Sequence, residues 1–309
     1  MTSRDTERQP HPADPVLDDD VVLGVVRAWV PDAQMVSALD ETGGEARVYV
    51  VDDEIVLKTQ RPHRVRGRTS LTKEAFLLNH LAAADPTLPV PRPLGNGEHQ
   101  GIEYLVMTRM PGNALARTEL APAARDAALR AAGAAVRRVH AVDQEPLSAS
   151  GLFPGDSAPA DLPGRIGESL GRLLPNLAEK DGWPAELAPE RVLQLAVAAA
   201  PTDTAPVVLH SNPGPEHVFV DPGTGRFVGL IDFGDAYRSH PAFDPRTWVS
   251  RPDSDQLLAG YVEAGPVGPG FMVAWHLGLL IQEATFAAYG WQEPGPAAAN
   301  IARILDQLD

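Results

Sequence analysis

The sequence predicts an α+β protein of two lobes, a small antiparallel sheet with one helix followed by a larger and mostly helical lobe. Three observations lead to this prediction. Strand-like runs separated by turns fill the N-terminal third, helical periodicity dominates from about residue 120 onward, and one pair of strands near 207–235 interrupts the helices. The 309 residues are enough for two packed lobes with a sizeable core.

A β-meander and one helix make up the predicted N-terminal lobe, residues 18–110. The predicted elements are a helix at 21–30, strands at 35–39, 46–51 and 54–58, a helix at 70–84, and strands around 90–96 and 103–109. Ser70 or Thr69 is the expected cap of the second helix. The glycine-rich turn at 42–45 fits either a plain hairpin turn or a loop whose amides approach phosphate.

The predicted C-terminal lobe, residues 111–309, follows a linker. The sequence MPGNAL at 110–115 breaks the strand pattern with Pro and Gly, as a connection between lobes does. Helices are expected at 123–142, 164–180, 190–200, 253–264, 270–289 and 295–308. Residues 1–17 are charged and contain proline, so we expect a disordered tail there.

Composition excludes several classes of protein. The net charge of −15 at pH 7 would repel nucleic acid, but it is compatible with a cationic small-molecule substrate. No run of about 18 apolar residues is present to span a bilayer, and the N-terminus lacks the apolar stretch of a signal peptide. Without cysteine there can be neither disulfides nor thiolate metal sites. We therefore expect a cytoplasmic protein with no nucleic-acid or membrane partner, while the oligomeric state stays open.

Lysine is rare in this chain, and only Lys58, Lys73 and Lys180 occur. Lys58 ends the apolar strand IVLK, from which its small ammonium group can reach out of the sheet to nucleotide phosphates. A solvated strand end is the alternative interpretation. Glu74 lies in the next helix on the face expected to turn toward the sheet, whereas Lys73 beside it is expected at the surface.

Two short polar loops flank the predicted hairpin. The first loop, residues 210–217, reads H-S-N-P-G-P-E-H, and the second loop, residues 232–236, reads D-F-G-D-A. Together they resemble the signature of the aminoglycoside and macrolide phosphotransferases, in which H-G-D-x-x-x-x-N precedes D-[FW]-G-[DE]-A. These antibiotic kinases have a bilobal, protein-kinase-like fold. The resemblance extends over roughly residues 35–250 and includes the Lys58 strand.

The resemblance implies that ATP or GTP, with Mg²⁺, phosphorylates a hydroxyl of a small and cationic natural product. Asp232 would be the main Mg²⁺ ligand, a hard oxygen donor for a hard cation, with His217 as the second ligand. Glu74 would hold Lys58 by an ion pair, and His210 would brace its loop through hydrogen bonds. The other implied residues are Thr108 and Met110 at the base, Asp235 and Glu283 at the substrate with Trp275 or Trp291 beside them, and Asp244 as an architectural residue.

Two residues depart from the family pattern. His217 stands where Asn is usual, as in macrolide-phosphorylating relatives, and imidazole is softer than Mg²⁺ prefers. Asn212 stands at the position of the catalytic Asp, and a carboxamide can orient a hydroxyl but cannot take its proton. We therefore expect a weakened or inactivated enzyme, either a natural pseudokinase or one with a deliberate Asp→Asn change.

Alternative functions stay open from the sequence alone. One is a nucleotide- or small-molecule-binding pseudokinase, and another is a kinase of a primary metabolite such as an amino alcohol or sugar. The acidity of the chain favours an aminoglycoside-type substrate, whereas His217 favours a macrolide.

Overall fold

A computed structural model of the chain describes residues 16–41, 44–63, 69–153, 162–180, 182–203, 205–248 and 250–308. The helices are α1 (Asp19–Arg27), α2 (Leu71–Ala84), α3 (Pro122–Ala141), α4 (Glu145–Ala149), α5 (Leu162–Ala178), α6 (Pro189–Ala199), α7 (Arg251–Glu263), α8 (Phe271–Ala288) and α9 (Pro294–Leu305). The strands are β1 (Val36–Asp40), β2 (Ala46–Val51), β3 (Ile55–Gln60), β4 (Pro93–His99), β5 (Ile102–Thr108), β6 (Asn113–Ala114), β7 (Val207–Leu209), β8 (Val218–Val220), β9 (Phe227–Leu230) and β10 (Tyr237–Ser239). Residues 1–15 of the predicted tail, and Thr42 and Gly43 of the glycine-rich turn, lie outside the described residues.

Five antiparallel strands form the N-terminal sheet in the order β1-β2-β3-β5-β4, which confirms the predicted sheet. Side chains alternate along β3, so Leu57 packs with α1 on one face while Val56 packs with α2 on the other. Lys58 is in register with Val48 of β2 and Leu105 of β5, at the centre of the sheet. It therefore lies on the face that carries α2.

The start of α2 is fixed by two polar side chains. Ser70 caps the helix, since its hydroxyl accepts a hydrogen bond from the Lys73 amide, as predicted. Glu103 of β5 accepts hydrogen bonds from the Ser70 hydroxyl and from the Leu71 amide, the latter at 2.8 Å. A carboxylate at this end also suits the positive end of the helix dipole. These contacts tie α2 to the sheet and set the direction of Glu74.

The predicted linker between the lobes contains a short strand that the sequence did not indicate. Asn113 and Ala114 form β6, which pairs with β8 of the hairpin. Gly112 has a φ of +82°, and its α-carbon lies against the carbonyl of Val220, where a β-carbon would not fit. The linker is thereby hydrogen-bonded to the hairpin that separates the two polar loops. We keep the lobe boundary at residue 110 as a proposal.

Helices dominate the C-terminal lobe, as predicted. Helices α3 and α7 cross closely, because Gly133 faces the carbonyl of Leu257 and Gly260 faces the carbonyl of Arg130. Helix α8 is the one helix of the described chain that is long and apolar enough to cross a membrane, but 61% of its apolar stretch is buried inside the fold. This burial explains its hydropathy, since the core of the lobe packs around it.

Candidate active site

Strand β10, which the sequence did not indicate, brings the two polar loops together. It follows the second loop directly and pairs with β7, whose end leads into the first loop. Ser211 and Asp232 have φ values of +79° and +71°, a conformation that residues with a side chain rarely adopt. Such strain costs about 1–3 kcal/mol per residue, so surrounding contacts must hold both residues in place.

Lys58, Glu74 and Asp232 meet between the lobes. The Nζ of Lys58 lies 2.8 Å from Oε2 of Glu74 and 2.5 Å from Oδ1 of Asp232. Glu74 is 0% exposed and Lys58 8% exposed, while 41% of the Asp232 side chain remains accessible. The other oxygen of Glu74, Oε1, accepts a hydrogen bond from the Phe233 amide at 3.1 Å. One ammonium group thus joins the sheet, α2 and the second loop, and one carboxylate of the cluster is open to solvent.

The charges of this cluster shift one another's pKa values. Burial disfavours the ammonium form of Lys58, but Asp232 and Glu74 outweigh burial and raise the pKa of Lys58 above its ordinary value. Burial raises the pKa of Glu74, and the nearby ammonium of Lys58 offsets only part of that rise, so the pKa stays above its ordinary value. Burial acts in the same direction on Asp232, but Lys58 and His217 outweigh it and hold the pKa of Asp232 well below its usual range. Asp232 is therefore an ionised carboxylate across the physiological pH range.

His217 contacts an oxygen acceptor through each of its ring nitrogens. Its Nδ1 lies 2.8 Å from the Asn212 carbonyl and its Nε2 lies 3.2 Å from Oδ2 of Asp232. Burial alone would lower the pKa of His217, but Asp232 and these hydrogen bonds raise it above its ordinary value. Because both nitrogens face acceptors, this geometry is that of a protonated imidazolium. A metal ion could bind Nε2 only after that nitrogen lost its proton.

His210 lies between the two loops and braces them. Its Nε2 is 2.9 Å from the Ile231 carbonyl, which precedes the second loop, and its Nδ1 accepts from the Asn212 amide at 3.4 Å. Burial lowers the pKa of His210 to about 4, so the ring is neutral, with Nε2 as the donor. Through these contacts His210 joins the two loops, and its bracing role in the enzyme stays a prediction.

Asp244 supports the first loop through hydrogen bonds to its backbone. Its carboxylate accepts hydrogen bonds from the amides of His210 and Ser211 at 2.7 and 2.8 Å. His140 of α3 contacts the same carboxylate at 2.9 Å, and its other ring nitrogen is 2.9 Å from the hydroxyl of Tyr261. Asp244 is 0% exposed, so this network is closed to solvent. It explains how Ser211 keeps its strained backbone.

Asn212 is held by its backbone alone. Its amide donates to His210 and its carbonyl accepts from His217, as described above, whereas its side-chain amide has no hydrogen-bond partner among the described residues. The Oδ1 atom points into the space beside Gly214. The side chain at the predicted acceptor position is therefore available to a ligand.

The carboxylates predicted at the substrate both have protein partners. Asp235 accepts a hydrogen bond from the Thr69 hydroxyl at 2.6 Å, just before α2. Glu283 is 7% exposed and accepts from Asn300 of α9 at 2.9 Å. Their roles at a substrate stay predictions. Trp275 is 2% exposed and donates to the Pro245 carbonyl, so its ring is part of the core rather than of a ligand site.

The surface position expected for Lys73 is wrong. The residue is 2% exposed, and its Nζ donates to the Ala236 carbonyl, at the end of the second loop, over 2.7 Å. Together with Glu74 of the helix and Thr69 just before it, Lys73 connects this region to three residues of the second loop, Phe233, Asp235 and Ala236. The burial of Lys73 could not be predicted from the sequence, because adjacent helical positions normally point in different directions and only one of them is expected to be buried. Here both Lys73 and Glu74 are buried, since α2 is covered on more than one side.

The inter-lobe strand offers one free amide to a nucleotide base. The Thr108 amide donates to the Arg92 carbonyl at 2.9 Å and the Arg109 amide donates to the Glu54 carbonyl at 2.7 Å. In the part of the chain that the structure describes, the Met110 amide has no such partner. The Thr108 amide is therefore already used, and Met110 is the better of the two predicted base-binding residues.

The donor set near Asp232 fits Mg²⁺ held in part by a nucleotide. No group of three or more His, Asp and Glu side chains able to hold a metal occurs within the described residues. Mg²⁺ in phosphotransfer sites takes one or two carboxylates and completes its shell with phosphate oxygens and water. Asp232 meets that requirement with its exposed carboxylate. His217 as a second ligand stays a prediction, since its Nε2 faces a carboxylate.

A family model and a curated relative match the chain by sequence. The model of the APH phosphotransferase enzyme family matches residues 39–272, more than half of the chain. Over 147 residues, the chain is 29% identical to an aminoglycoside 3'-phosphotransferase of Streptomyces fradiae, a match that covers 48% of this chain and 52% of that enzyme. The matched chain thus spans about half the length of that curated relative.

Solved structures of similar fold cover nearly the whole chain. The GDP complex of aminoglycoside 2'-phosphotransferase-IIIa has a TM-score of 0.59 at 17% identity, covering 94% of this chain and 98% of that one. The streptomycin–ATP complex of APH(2")-IIa has a TM-score of 0.56 at 14% identity, with coverages of 94% and 97%. Macrolide 2'-phosphotransferase MphH from Brachybacterium faecium has a TM-score of 0.55 at 21% identity, with coverages of 91% and 98%.

At these identities the structural similarity establishes the fold, and it confirms the predicted bilobal, protein-kinase-like architecture. The family model adds the relationship by sequence, over a segment that contains Lys58, Glu74 and both polar loops. This chain belongs to the phosphotransferase enzyme family.

Proposed function

We propose that the protein transfers the γ-phosphoryl group of ATP or GTP to a hydroxyl of a small, cationic natural product, in a Mg²⁺-dependent reaction. The observation that carries this proposal is the convergence of Lys58, Glu74 and Asp232 on one point between the lobes. Phosphoryl transfer needs fixed positive charge at the phosphates and a carboxylate for the metal ion, and little other protein chemistry. Family membership supports the same reaction class.

Lys58 binds the nucleotide phosphates. In the ligand-free arrangement its ammonium contacts two carboxylates, and phosphate oxygens replace Asp232 when nucleotide enters, while the buried Glu74 keeps the ammonium in position. Asp232 is then free to hold Mg²⁺, which neutralises charge on the transferring phosphoryl group when bound. Met110 offers its amide to the edge of the base, which either adenine or guanine can meet.

Asn212 faces the acceptor hydroxyl. Its side chain can orient that hydroxyl through Oδ1, but it cannot remove the proton as a carboxylate does. Loss of general-base catalysis costs about 10²–10⁴-fold in rate. We therefore propose that transfer by this chain is slow compared with the rate that an aspartate at position 212 would support.

The substrate class follows from charge and from an aromatic cluster near the first loop. The Cβ atom of Thr247 lies 4.0 Å from the point that a β-carbon would occupy at Gly214 of the first loop, and Trp248 follows Thr247 in the chain. The ring of Trp248 contacts Phe286, which contacts Trp291 in turn, at centroid distances of 6.3 and 5.8 Å. Such a surface suits the ring faces of an aminoglycoside- or macrolide-type antibiotic.

The charge of the chain supports a cationic substrate. The net charge of −15 favours a cationic ligand, and we propose that Asp235 and Glu283 are the carboxylates on its side of the site. We place the reaction in the cytoplasm, where ATP and GTP are available, and without a nucleic-acid or membrane partner.

The proposal is tested by Asn212→Asp. We expect turnover to rise at least tenfold, because a carboxylate can take the hydroxyl proton. Nucleotide consumption and the mass of the phosphorylated product are measured with ATP and GTP, across aminoglycosides, macrolides, amino alcohols and sugars. Asn176→Asp, the same change on the exposed face of α5, is the control and should leave turnover unchanged. No product from either chain on the whole panel would contradict the proposal.

A nucleotide-binding protein without transfer activity is the second candidate, and Asn212 itself is the observation that favours it. Titration calorimetry separates the two functions. Binding of Mg²⁺–ATP or Mg²⁺–GTP without any phosphorylated product, even after Asn212→Asp, would identify a binding module.

A further inference from the structure

The residue before Asn212 has a strained backbone. Ser211 has a φ of +79°, in the left-handed region that glycine adopts readily and that a residue with a β-carbon rarely adopts. The family pattern has glycine at this position, whereas this chain has serine. Asn212 follows directly, so the backbone of Ser211 sets the direction in which the acceptor-facing side chain leaves the loop. This chain therefore needs a firmer hold on position 211 than a chain with glycine there.

Asp244 provides that hold. The Ser211 amide donates to Oδ1 of Asp244 at 2.8 Å, and the His210 amide donates to Oδ2 at 2.7 Å. Burial raises the pKa of Asp244, but the hydrogen bonds from His140 and from the His210 amide outweigh burial and hold that pKa below its ordinary value. Asp244 is therefore a buried carboxylate, which can only accept hydrogen bonds. Its orientation depends on the donors around it.

His140 connects this carboxylate to α7. Because Asp244 only accepts, Nε2 of His140, 2.9 Å from Oδ2, carries a proton. The Nδ1 atom lies 2.9 Å from the hydroxyl of Tyr261. Burial raises the pKa of Tyr261 to about 12, so the phenol keeps its proton and can donate it to Nδ1. The Tyr261 ring is itself fixed by stacking on Phe271, with centroids 5.3 Å apart. A chain of hydrogen bonds thus runs from α7 through α3 to the backbone of Ser211.

We propose that His140 and Tyr261 are positioning residues for phosphoryl transfer. They act through Asp244 on the strained backbone of Ser211, and so on the direction of the side chain at position 212. Without the hydrogen bond from His140, the carboxylate of Asp244 loses one of its three donors and can turn. Ser211 then relaxes toward the negative φ that a residue with a β-carbon prefers.

This relaxation moves the side chain at position 212 away from the acceptor hydroxyl. A small displacement of a positioned group lowers the rate of transfer steeply, whereas nucleotide binding through Lys58 is not affected. With glycine at position 211 the requirement for His140 disappears, because glycine adopts either sign of φ about equally well. This inference rests on the proposed phosphotransfer.

The kinetic test uses the Asn212→Asp chain as its parent, since transfer is expected to be faster there than in the native chain. His140→Phe removes both ring nitrogens but keeps an aromatic ring. We expect kcat to fall at least tenfold while KM for the nucleotide stays within about twofold. Adding Ser211→Gly to His140→Phe should return kcat to within about threefold of the parent. His140→Gln, whose side-chain amide can still donate to Asp244, should also stay within about threefold.

Two buried tyrosines provide a milder test and its control. Tyr261→Phe removes only the hydroxyl that faces His140, and it should lower kcat at least threefold. Tyr49→Phe removes the hydroxyl of another buried tyrosine, which accepts a hydrogen bond from the Leu17 amide at 2.8 Å. Both changes should lower stability. Only Tyr261→Phe should lower kcat, because Tyr49 packs in the cluster around α1 rather than beside the first loop.

Urea unfolding tests the hold on Ser211 without any substrate. In the Asn212→Asp chain, Ser211→Gly should raise the urea midpoint, because it relieves the strained backbone. In the His140→Phe variant of that chain the backbone has already relaxed, so the same change should leave the midpoint unchanged or lower it. Equal shifts in the two chains would overturn the proposed link between His140 and Ser211.

The kinetic outcomes are also distinct. An unchanged kcat in His140→Phe, or a loss that Ser211→Gly does not recover, overturns the positioning role and leaves His140 a structural residue of the core. A rise in KM for the nucleotide with unchanged kcat overturns it as well. If His140→Phe does not fold, Tyr261→Phe compared with its control decides the role by kcat. If the Asn212→Asp chain forms no product, the proposed function fails and the role in transfer fails with it, whereas unequal urea shifts still assign the support of Ser211 to His140.

Discussion

Replacing Lys58 by methionine tests the electrostatic centre of the site through stability, independently of any ligand. Methionine keeps most of the length and apolar volume of the lysine stem but removes its ammonium group. Glu74 is 0% exposed, and after the change its remaining donor among the described residues is the Phe233 amide. Breaking a buried ion pair by removing one partner costs about 3–5 kcal/mol, because the other charge is left uncompensated.

Asp232 adds little to this loss, since 41% of its side chain is exposed and solvent screens its charge. We therefore expect the free energy of unfolding of Lys58→Met to be about 3–5 kcal/mol lower at pH 7. Burial already raises the pKa of Glu74, and loss of Lys58 removes a contribution that lowers it. Below its unfolded pKa of about 4.5, the Glu74 carboxyl of the variant is protonated in both states and does not destabilise the fold. As pH rises from there through the higher pKa of the folded state, the variant loses stability.

Urea unfolding followed by circular dichroism, with linear extrapolation to zero urea, measures these differences. Adding Glu74→Gln to Lys58→Met should recover at least half of the lost free energy, because the amide carries no charge to desolvate. A loss below about 1 kcal/mol for Lys58→Met would refute the buried ion pair as a source of stability. So would equal stability of the single and double variants, or a loss that does not depend on pH.

Two further predictions concern a buried lysine and a buried histidine. Lys73→Met should lower the free energy of unfolding by about 1–3 kcal/mol, since the Ala236 carbonyl loses its donor. Lys73→Met should also lower turnover at least fivefold. Lys180→Met is the control, because it removes an ammonium bound to carbonyls at the end of α8. It should lower stability but change turnover by no more than about twofold. Burial lowers the pKa of His240 to about 4, so the unfolded chain alone gains a proton below about pH 6.5, which costs the fold about 1.4 kcal/mol between pH 7.5 and 5.5. His240→Asn should remove that share of the pH dependence in urea titrations, and equal slopes in the two proteins would contradict it.

Most of the fold could be predicted because hydrophobic periodicity reports which face of an element is buried. Helix α2 and strands β2 and β3 lie within two residues of their predicted bounds. The missed elements are short, and their pairing is not encoded locally. Strand β10 has three residues and exists because it pairs with β7, nearly thirty residues earlier in the chain. A three-residue segment carries no period that could reveal such a partner.

The part of the site that could be predicted consists of residues whose type alone indicates their chemistry. Lys58, Glu74 and Asp232 were named from the sequence, and the structure brings their charged groups together. Lys73 was misplaced because amphipathic reasoning assigns a lysine to the solvated face of a helix. In α2 both Lys73 and Glu74 are buried, since the second loop covers the part of the helix that the sheet leaves open. Sequence spacing alone does not report a contact made by a loop 163 residues away.

The departures at positions 212 and 217 are best understood together. The family pattern has a carboxylate at the third position of the first loop and a neutral Asn at the eighth, whereas this loop has neutral Asn212 and a His217 with a raised pKa. Both departures make the loop less negative, since one removes a carboxylate and the other introduces an imidazole whose Nε2 lies 3.2 Å from Oδ2 of Asp232. Asp232 therefore remains the ionised carboxylate of the site, so the chain keeps an oxygen donor of the kind that Mg²⁺ prefers while position 212 has lost its general base.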